Sequence, residues 1–559
     1  GGLQDNGLWM TPSNSREYRG ILNMHSTWIA EGDGFHTQID PDDWRTVYTV
    51  NHVGFVARQN IETREYSFIT PTPETISNFK QYVDYNYNET RNRYTIDPGE
   101  HWFFRDRPER PLLPPQFRFN WSSPFIISSH NSKKVLFGSN HLFQSHDRGD
   151  NWKIISPDLT TNDKKLRNTS DGGGLTNSNT GGENHFTIIT ISDTPIDTLS
   201  IWVGTDDGNV QVTRNNGASW DNVKKNIRGI PDKIWVSRVE ASKHAKGRAY
   251  VSFDNHRFDD NKPYVFVTED YGKSWNDISS NLPIDYSVYV IKEDPIDKNL
   301  LFVGTEKSVY FSTNRGLSWE KLGSNLPTVA IHDLVIHPRD GDLVVGTHGR
   351  SIWILDDISP LRFLNEENDK LLPTRVSTKW VKINTGRKQP FFEFRGENPP
   401  YGSIINYYST TNTKGELIIS KDEFKFNENA PSFRKSIEIN RGINRFIWPF
   451  TLKRSEEELI NYRDKFIGIK ESFKEVVVDK KGLNSYDFKD QKSFSDINKL
   501  RKKFLDNYGM YANGKKIFGD KLYNEFDIEE GIYNVMIRLD NGDNFKDKII
   551  VRKDPLKSN

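Results

Sequence analysis

Four eight-residue segments of the chain repeat one pattern: Ser145–Trp152, Thr213–Trp220, Thr268–Trp275 and Ser312–Trp319. Each opens on Ser or Thr, carries Asp or Asn third and Gly fifth, and closes on Trp. An internal repeat constrains a fold strongly, because each copy is a supersecondary unit that can bury its apolar face only against its neighbours. The closing tryptophans stand 68, 55 and 44 residues apart, approaching the roughly 40 to 50 residues of a propeller blade once loop insertions are allowed. The chemistry of the pattern is that of a β-hairpin turn. The hydroxyls of Ser145, Thr213, Thr268 and Ser312 and the side chains of Asp147, Asn215, Asp270 and Asn314 can hydrogen-bond neighbouring backbone. Gly149, Gly217, Gly272 and Gly316 can supply positive φ. Trp152, Trp220, Trp275 and Trp319 then pack beneath the hairpin, which makes Asp147 and Asp270 structural acids.

A second element recurs upstream of the boxes: Leu136-Phe137-Gly138-Ser139, Trp202-Val203-Gly204-Thr205, Phe302-Val303-Gly304-Thr305 and Val344-Val345-Gly346-Thr347. These read as short strands ending in a tight glycine turn. The cycle of strand, turn, strand, glycine turn, strand, box and strand is one four-stranded blade. It occurs about six times, near residues 30 to 70, 122 to 157, 184 to 224, 234 to 279, 285 to 322 and 328 to 358. The expected fold is therefore all-β: an Asp-box β-propeller over 1–360, a linker over 361–374, and an immunoglobulin-like β-sandwich over 375–559. The sandwich is read from alternating strands such as Ser403 to Tyr408, Glu416 to Ser420 and Gly531 to Leu539, interrupted by a Lys- and Glu-rich helical insertion at about 455–510. Between the first two repeats an aromatic, Pro-rich stretch, 71–121, is a lid or a strap over the surface.

Composition narrows the chemistry. The 559 residues hold 76 Lys plus Arg and 76 Asp plus Glu, so no net field draws the chain to nucleic acid or anionic lipid. With no cysteine, thiol nucleophiles, zinc–thiolate sites and disulfides are excluded. No apolar run approaches the ~18 residues needed to span a bilayer. The opening Gly1-Gly2-Leu3-Gln4-Asp5 has neither Met nor a signal-peptide apolar core, and predicts a chain processed or truncated at its start.

The boxes, Gly1-Gly2-Leu3-Gln4-Asp5-Asn6-Gly7, Gly32-Asp33-Gly34-Phe35, Arg118-Phe119-Asn120-Trp121, Gly204-Thr205-Asp206-Asp207-Gly208 and Gly346-Thr347-His348-Gly349-Arg350 resemble the large bacterial Asp-box (BNR repeat) propeller proteins, sortilin-like or glycosyl hydrolase-like. That resemblance implies a secreted or outer-surface bacterial protein whose signal peptide lies outside this chain. It also implies an N-terminal propeller half, in the same precursor or a separate chain, completing the assembly. The fold type carries sialidases, glucanases and non-catalytic receptors alike. Two functions follow as expectations: a binding scaffold for a peptide, glycan or partner protein, or a secreted glycoside hydrolase. No cofactor is expected.

A glycosidase needs two carboxylates flanking the scissile bond, about 5 to 9.5 Å apart. Asp33 leads the candidates, because Gly32 and Gly34 leave room for close approach of substrate; Asp5 and Asp206 follow, in loops rich in glycine. Each reads more readily as the cap of a turn. For ligand binding the candidates are Asp207, Arg238, His256, Arg257, His348, Arg350 and Trp121, polar or aromatic residues at the expected loops. Arg238, Arg257 and Arg350 can be drafted as a carboxylate-gripping cluster, but the Phe-Arg-Ile-Pro phrase of sialidases is absent. His332, His337 and His348 read as core or surface histidines, so no metal site is expected.

Overall fold

Each of the four boxes begins on the last residue of the third strand of a four-stranded antiparallel sheet, and the fourth strand starts directly after its Trp. The computed structural model describes residues 1–82, 117–163, 165, 184–323, 325–383, 394–421, 430–455 and 525–556. They fall into two compact units, one built largely from Gly1–Ser15 and Ile21–Arg362, the other from Arg16–Gly20, Phe363–Lys388 and Glu397–Asn559.

Among the described residues the first unit holds seven successive sheets, besides a two-stranded pairing of Ile21–Leu22 with Arg395–Gly396. Sheet 1 has three strands, Gly2–Leu3, Gly7–Met10 and Thr27–Ala30. Sheets 2 to 6 have four each, with first strands Gly34–Ile39, Phe125–Ile127, Ile188–Thr194, Trp235–Ala241 and Val288–Glu293. Sheet 7 again has three, Ile331–Ile336, Leu343–Thr347 and Ile352–Leu355. In each four-stranded sheet the strands run in chain order, because tight hairpins join them and adjacent antiparallel pairing is the shortest closure of each loop.

The boxes fix more than their own turns. In the first, the Ser145 hydroxyl accepts the Gly149 N–H at 2.9 Å and donates to Asp147 Oδ1 at 2.7 Å, while Asp147 accepts the Asn151 N–H at 2.8 Å. The same three bonds recur around Thr213 and Asn215, Thr268 and Asp270, and Ser312 and Asn314. The box glycine then presses on the preceding sheet, always on the residue just after its fourth strand: Ile69, Ile155, Val223 and Ile278. Trp152, Trp220 and Trp319 donate their indole N–H to the carbonyls of Ile69, Ile155 and Ile278 at 2.8, 3.0 and 2.7 Å. Each box is thus a staple between neighbouring sheets as well as a hairpin turn.

The expected propeller and sandwich require correction. Packing between first strands runs in series from one sheet to the next, and no comparable packing joins sheet 7 back to sheet 1 among the described residues. The reason is visible at one recurrent position. Gly138, Gly204 and Gly304, in the second strands, abut Ile188, Val236 and Ile331 at the first strand of the following sheet, whereas the matching Gly346 meets only its own Asp333. The ring is therefore not closed, and what forms is an all-β, mostly antiparallel assembly of separate sheets.

In the second unit a seven-stranded sheet and a three-stranded sheet replace the immunoglobulin pattern. The larger sheet is mixed, since Ser377–Lys379 pairs in parallel with residues 551–553. Tyr407 and Trp448 of the small sheet share one core cluster with Leu417, Val535 and Ile549 of the large one. The helical insertion expected at about 455–510 lies outside the described residues apart from Ser455. Of the 71–121 stretch, the described ends are structural: Trp152 N–H donates to Thr75 at 2.8 Å, Ile154 N–H to Asn78 Oδ1 at 2.9 Å, and Phe79, Tyr82 and Phe117 join the core beneath.

The staple makes a quantitative prediction. Gly217 has φ +91 and an added Cβ would lie 2.3 Å from the Ile155 carbonyl oxygen, whereas Gly229, at φ +83, has open space around it. Gly229→Ala should cost only the ~1 kcal/mol of left-handed backbone strain, and Gly217→Ala a further ~1 to 3 kcal/mol from the clash, measured by urea unfolding of the two variants.

Candidate functional site

In sheets 2, 4, 5, 6 and 7 the start of the first strand and the end of the second lie side by side, as the antiparallel register requires. The side chains at these corners touch one another from sheet to sheet and build a ribbon of rings and ionisable groups. Pleating sets the pattern. In sheets 6 and 7 the first residue of the first strand, Val288 or Ile331, is fully buried, so the next residue, Tyr289 or His332, turns to the other face.

The ribbon begins at Asp33, whose Oδ1 accepts the Asp5 N–H at 2.6 Å and whose Oδ2 lies 3.6 Å from His52 Nδ1. His52 stacks on Trp121 at 5.1 Å between centroids, with Phe35 edge-on to the same indole at 6.1 Å. Next to Trp121, the Asn120 amide donates to the buried Asp206 at 3.3 Å. Asp206 also accepts the Thr187 N–H at 2.9 Å and hydroxyl at 2.6 Å, and lies 3.4 Å from His185 Nδ1. His185 stacks on Trp235 at 5.7 Å, and Arg257 covers the indole at 3.8 Å. Arg257 and His256 both reach the buried Asp254, at 3.0 and 2.7 Å. His256 meets Tyr289 edge-on at 6.1 Å, and Tyr289 stacks on His332 at 4.7 Å while its hydroxyl donates to Glu306. His348 Nδ1 then lies 3.2 Å from His332 Nε2.

The electrostatics follow from crowding and partners. Burial alone would lower His185, and the Asp206 carboxylate reverses this and raises it. Burial and the adjacent Asp206 raise the Asp207 carboxyl, against hydrogen bonds from Thr161 and Thr205. Burial and His348 lower His332. On the first strand of sheet 2, burial and then the Arg238 charge push His36 down to about 4, partly offset by Asp333. Arg238 pairs with Asp333 at 2.9 Å.

Asp5, Asp33, Asp206, His256, Arg257, His348 and Trp121 thus lie on one ribbon, with Asp207 in the same turn as Asp206. Arg238 is tied to Asp333, and Arg350 sits in the exposed turn after His348, where its carbonyl accepts the Trp353 indole N–H at 2.9 Å. Arg238 and Arg257 each have a separate carboxylate partner, so the three arginines form no shared carboxylate clamp. Sequence reasoning missed Phe35, His36, His52, Trp235, Tyr289 and Glu306 as site residues. The signal was present in the recurrence of a ring at the opening of successive first strands, Trp235, Tyr289 and His332. Among the described residues no group of three or more His, Asp or Glu side chains is arranged to hold a metal ion, and no helix is long and apolar enough to cross a membrane.

No family model matches the chain and no curated protein matches it. Solved structures similar to it include YCF48 from Cyanidioschyzon merolae, at 13% identity and a TM-score of 0.35, covering 61% of this chain and 89% of that one. The GH74 enzyme of Niastella koreensis matches at 12% identity and 0.25, covering 78% and 66%. The extracellular domain of the putative hybrid two component system BT3049 from B. thetaiotaomicron matches at 10% and 0.35, covering 99% and 55%. The chain therefore spans less than two thirds of the last two. Likenesses this distant say nothing of what the chain binds or does, and the specific family suggested by the boxes is not matched.

His36 makes the unit acid-sensitive. A histidine whose folded pKa lies near 4, below its usual ~6.5, stays neutral in the folded chain while the unfolded chain takes up a proton. Its contribution to stability is complete above pH ~6.5 and is lost as pH falls through about 4. The unfolding midpoint should drop between pH 7 and pH 4, and His36→Gln should reduce that drop; equal pH slopes in the two proteins would remove His36 as a source.

Proposed function

We propose that the chain is a non-catalytic binding scaffold that holds an extended glycan along the ribbon, outside the cell. The observation that carries this reading is the occupancy of the ribbon's carboxylates. Asp33, Asp206 and Asp254 already accept hydrogen bonds from the protein's own backbone, and Asp207 accepts those of Thr161. Such acids are fixed acceptors, suited to orienting a ligand and poorly placed to move a proton.

Between them stand imidazole, indole, phenol and guanidinium groups that donate, or both donate and accept. Sugar hydroxyls donate and accept at the same atom, so a row alternating acceptors with donors can engage them repeatedly. Half-buried rings add apolar contact without large side-chain entropy loss. The outside location rests on the resemblance of the boxes to those of secreted propeller proteins.

One observation favours a second reading, a glycoside hydrolase. The Asp207 carboxyl is raised by burial and by its neighbour Asp206, the direction a general acid requires. The two readings separate in one experiment. Glycan and peptide arrays probed with the full chain should show glycan binding, weakened at least about tenfold, ~1.4 kcal/mol, by Trp235→Ala. No reducing ends should be released by the wild type. Sugar release that is lost in Asp207→Asn would replace the scaffold by the hydrolase, and binding to peptides alone would replace the glycan.

A further inference from the structure

A cavity of about 760 Å³ opens beside sheet 4, where the segment after its fourth strand faces the box of sheet 5. Its volume is in the range of small-ligand sites. Trp220 and Tyr271 supply its aromatic wall, and Asn222 and Asn226 are among its polar lining. Four cations border it, Arg214, Lys224, Lys225 and Lys273, against two carboxylates, Asp221 and Asp232.

The cations are not equivalent. Arg214 is held by Asp221 at 2.8 Å, and Lys224 donates to the Asp232 carbonyl at 2.5 Å. Lys225 and Lys273 are exposed and pair with no carboxylate of the described residues. The cavity therefore offers two free ammonium groups beside aromatic and amide surface. Lys224 ties it to the ribbon, since a methyl group on Gly208 would come within 3.1 Å of its Nζ, and Gly208 follows Asp206 and Asp207 in the same turn.

We infer that this cavity is a binding site for a carboxylated sugar, with Lys225 and Lys273 meeting the carboxylate and Trp220 and Tyr271 meeting the ring. A bare inorganic anion would leave the aromatic wall unused, and a neutral sugar would leave the two ammonium groups without a partner. Lysine suits this task as a mobile point charge that follows a carboxylate whose position varies along a chain. The inference does not depend on the ribbon being a glycan site.

The test is calorimetric titration of the full chain with trigalacturonate, with neutral galactotriose and with citrate. Trigalacturonate should bind at least tenfold more tightly than galactotriose and citrate. A Lys225→Ala/Lys273→Ala double variant should lose at least tenfold in affinity for it while keeping the wild-type unfolding midpoint, because both side chains are exposed. Trp235→Ala, in the ribbon, should bind it as the wild type does. Equal affinity for the two trisaccharides, no binding of trigalacturonate, or undiminished binding by the double variant would overturn the assignment. Citrate binding as tightly would remove the sugar from it. Loss of trigalacturonate binding in Trp235→Ala alone would move the acidic sugar to the ribbon, whereas neutral glycan binding that survives the double variant leaves the ribbon reading standing.

Discussion

The fold depends on a contact made four times, between the glycine and tryptophan of a box and the residue that follows the fourth strand of the sheet before it. The hydroxyl at the head of the box holds the glycine N–H, the glycine's missing Cβ admits the neighbour's branched side chain, and in three of the four the indole bonds the neighbour's carbonyl. Short outer strands of two residues, such as Lys153–Ile154 or Asn276–Asp277, have little ladder of their own. Their place is secured from the following sheet, which accounts for strands this brief persisting at the outer edge of sheets 3, 4 and 5.

That arrangement leaves the opposite end of each sheet free for chemistry. The staples lie on the outer strands, while the ribbon lies at the corners of the first and second strands, where no box intrudes. Loops there need only satisfy their own turns. Asp206 does so through Thr187 and Asn120, and Asp254 through His256 and Arg257, so that each acid both closes a loop and presents a polar group to its neighbour. In the proposed scaffold, structural and recognition roles would share the same atoms, which is why an aspartate in a glycine-rich loop cannot be assigned to one role from its sequence context.

How much was legible follows from the range of each interaction. The box turns are local: Ser145, Asp147 and Gly149 satisfy one another within five residues, and their pattern can be read directly. The strands of the second unit were also visible as alternating runs, and Ser403–Ser409 and Gly531–Leu539 form near where they were expected. Their association was not, because the parallel pairing of Ser377 with Val551 joins residues far apart in the chain and leaves no mark on either segment. Closure of the ring was assumed from the repeat, yet repetition specifies only how one sheet meets the next. Gly346 carries the right residue for a contact that has no second party. The site shows the same divide, since Asp33 and Arg257 stand out within their own loops, whereas the stacking of Tyr289 on His332 joins two sheets.

A row of pairwise joints is only as uniform as its members. The box of sheet 5 has all three turn bonds, but the Trp275 indole N–H is buried without an acceptor among the described residues, while the other three indoles each have one. An unsatisfied buried donor weakens the joint that contains it, and here that joint is the seam between sheets 4 and 5. The seam is carried instead by a shared core, in which Trp202, Val212 and Val223 of sheet 4 pack with Val236, Val251 and Phe266 of sheet 5. Trp235 and Arg257 lie on one side of that seam and His185 on the other, so the middle of the ribbon is held together by apolar packing where its neighbours also have an indole hydrogen bond.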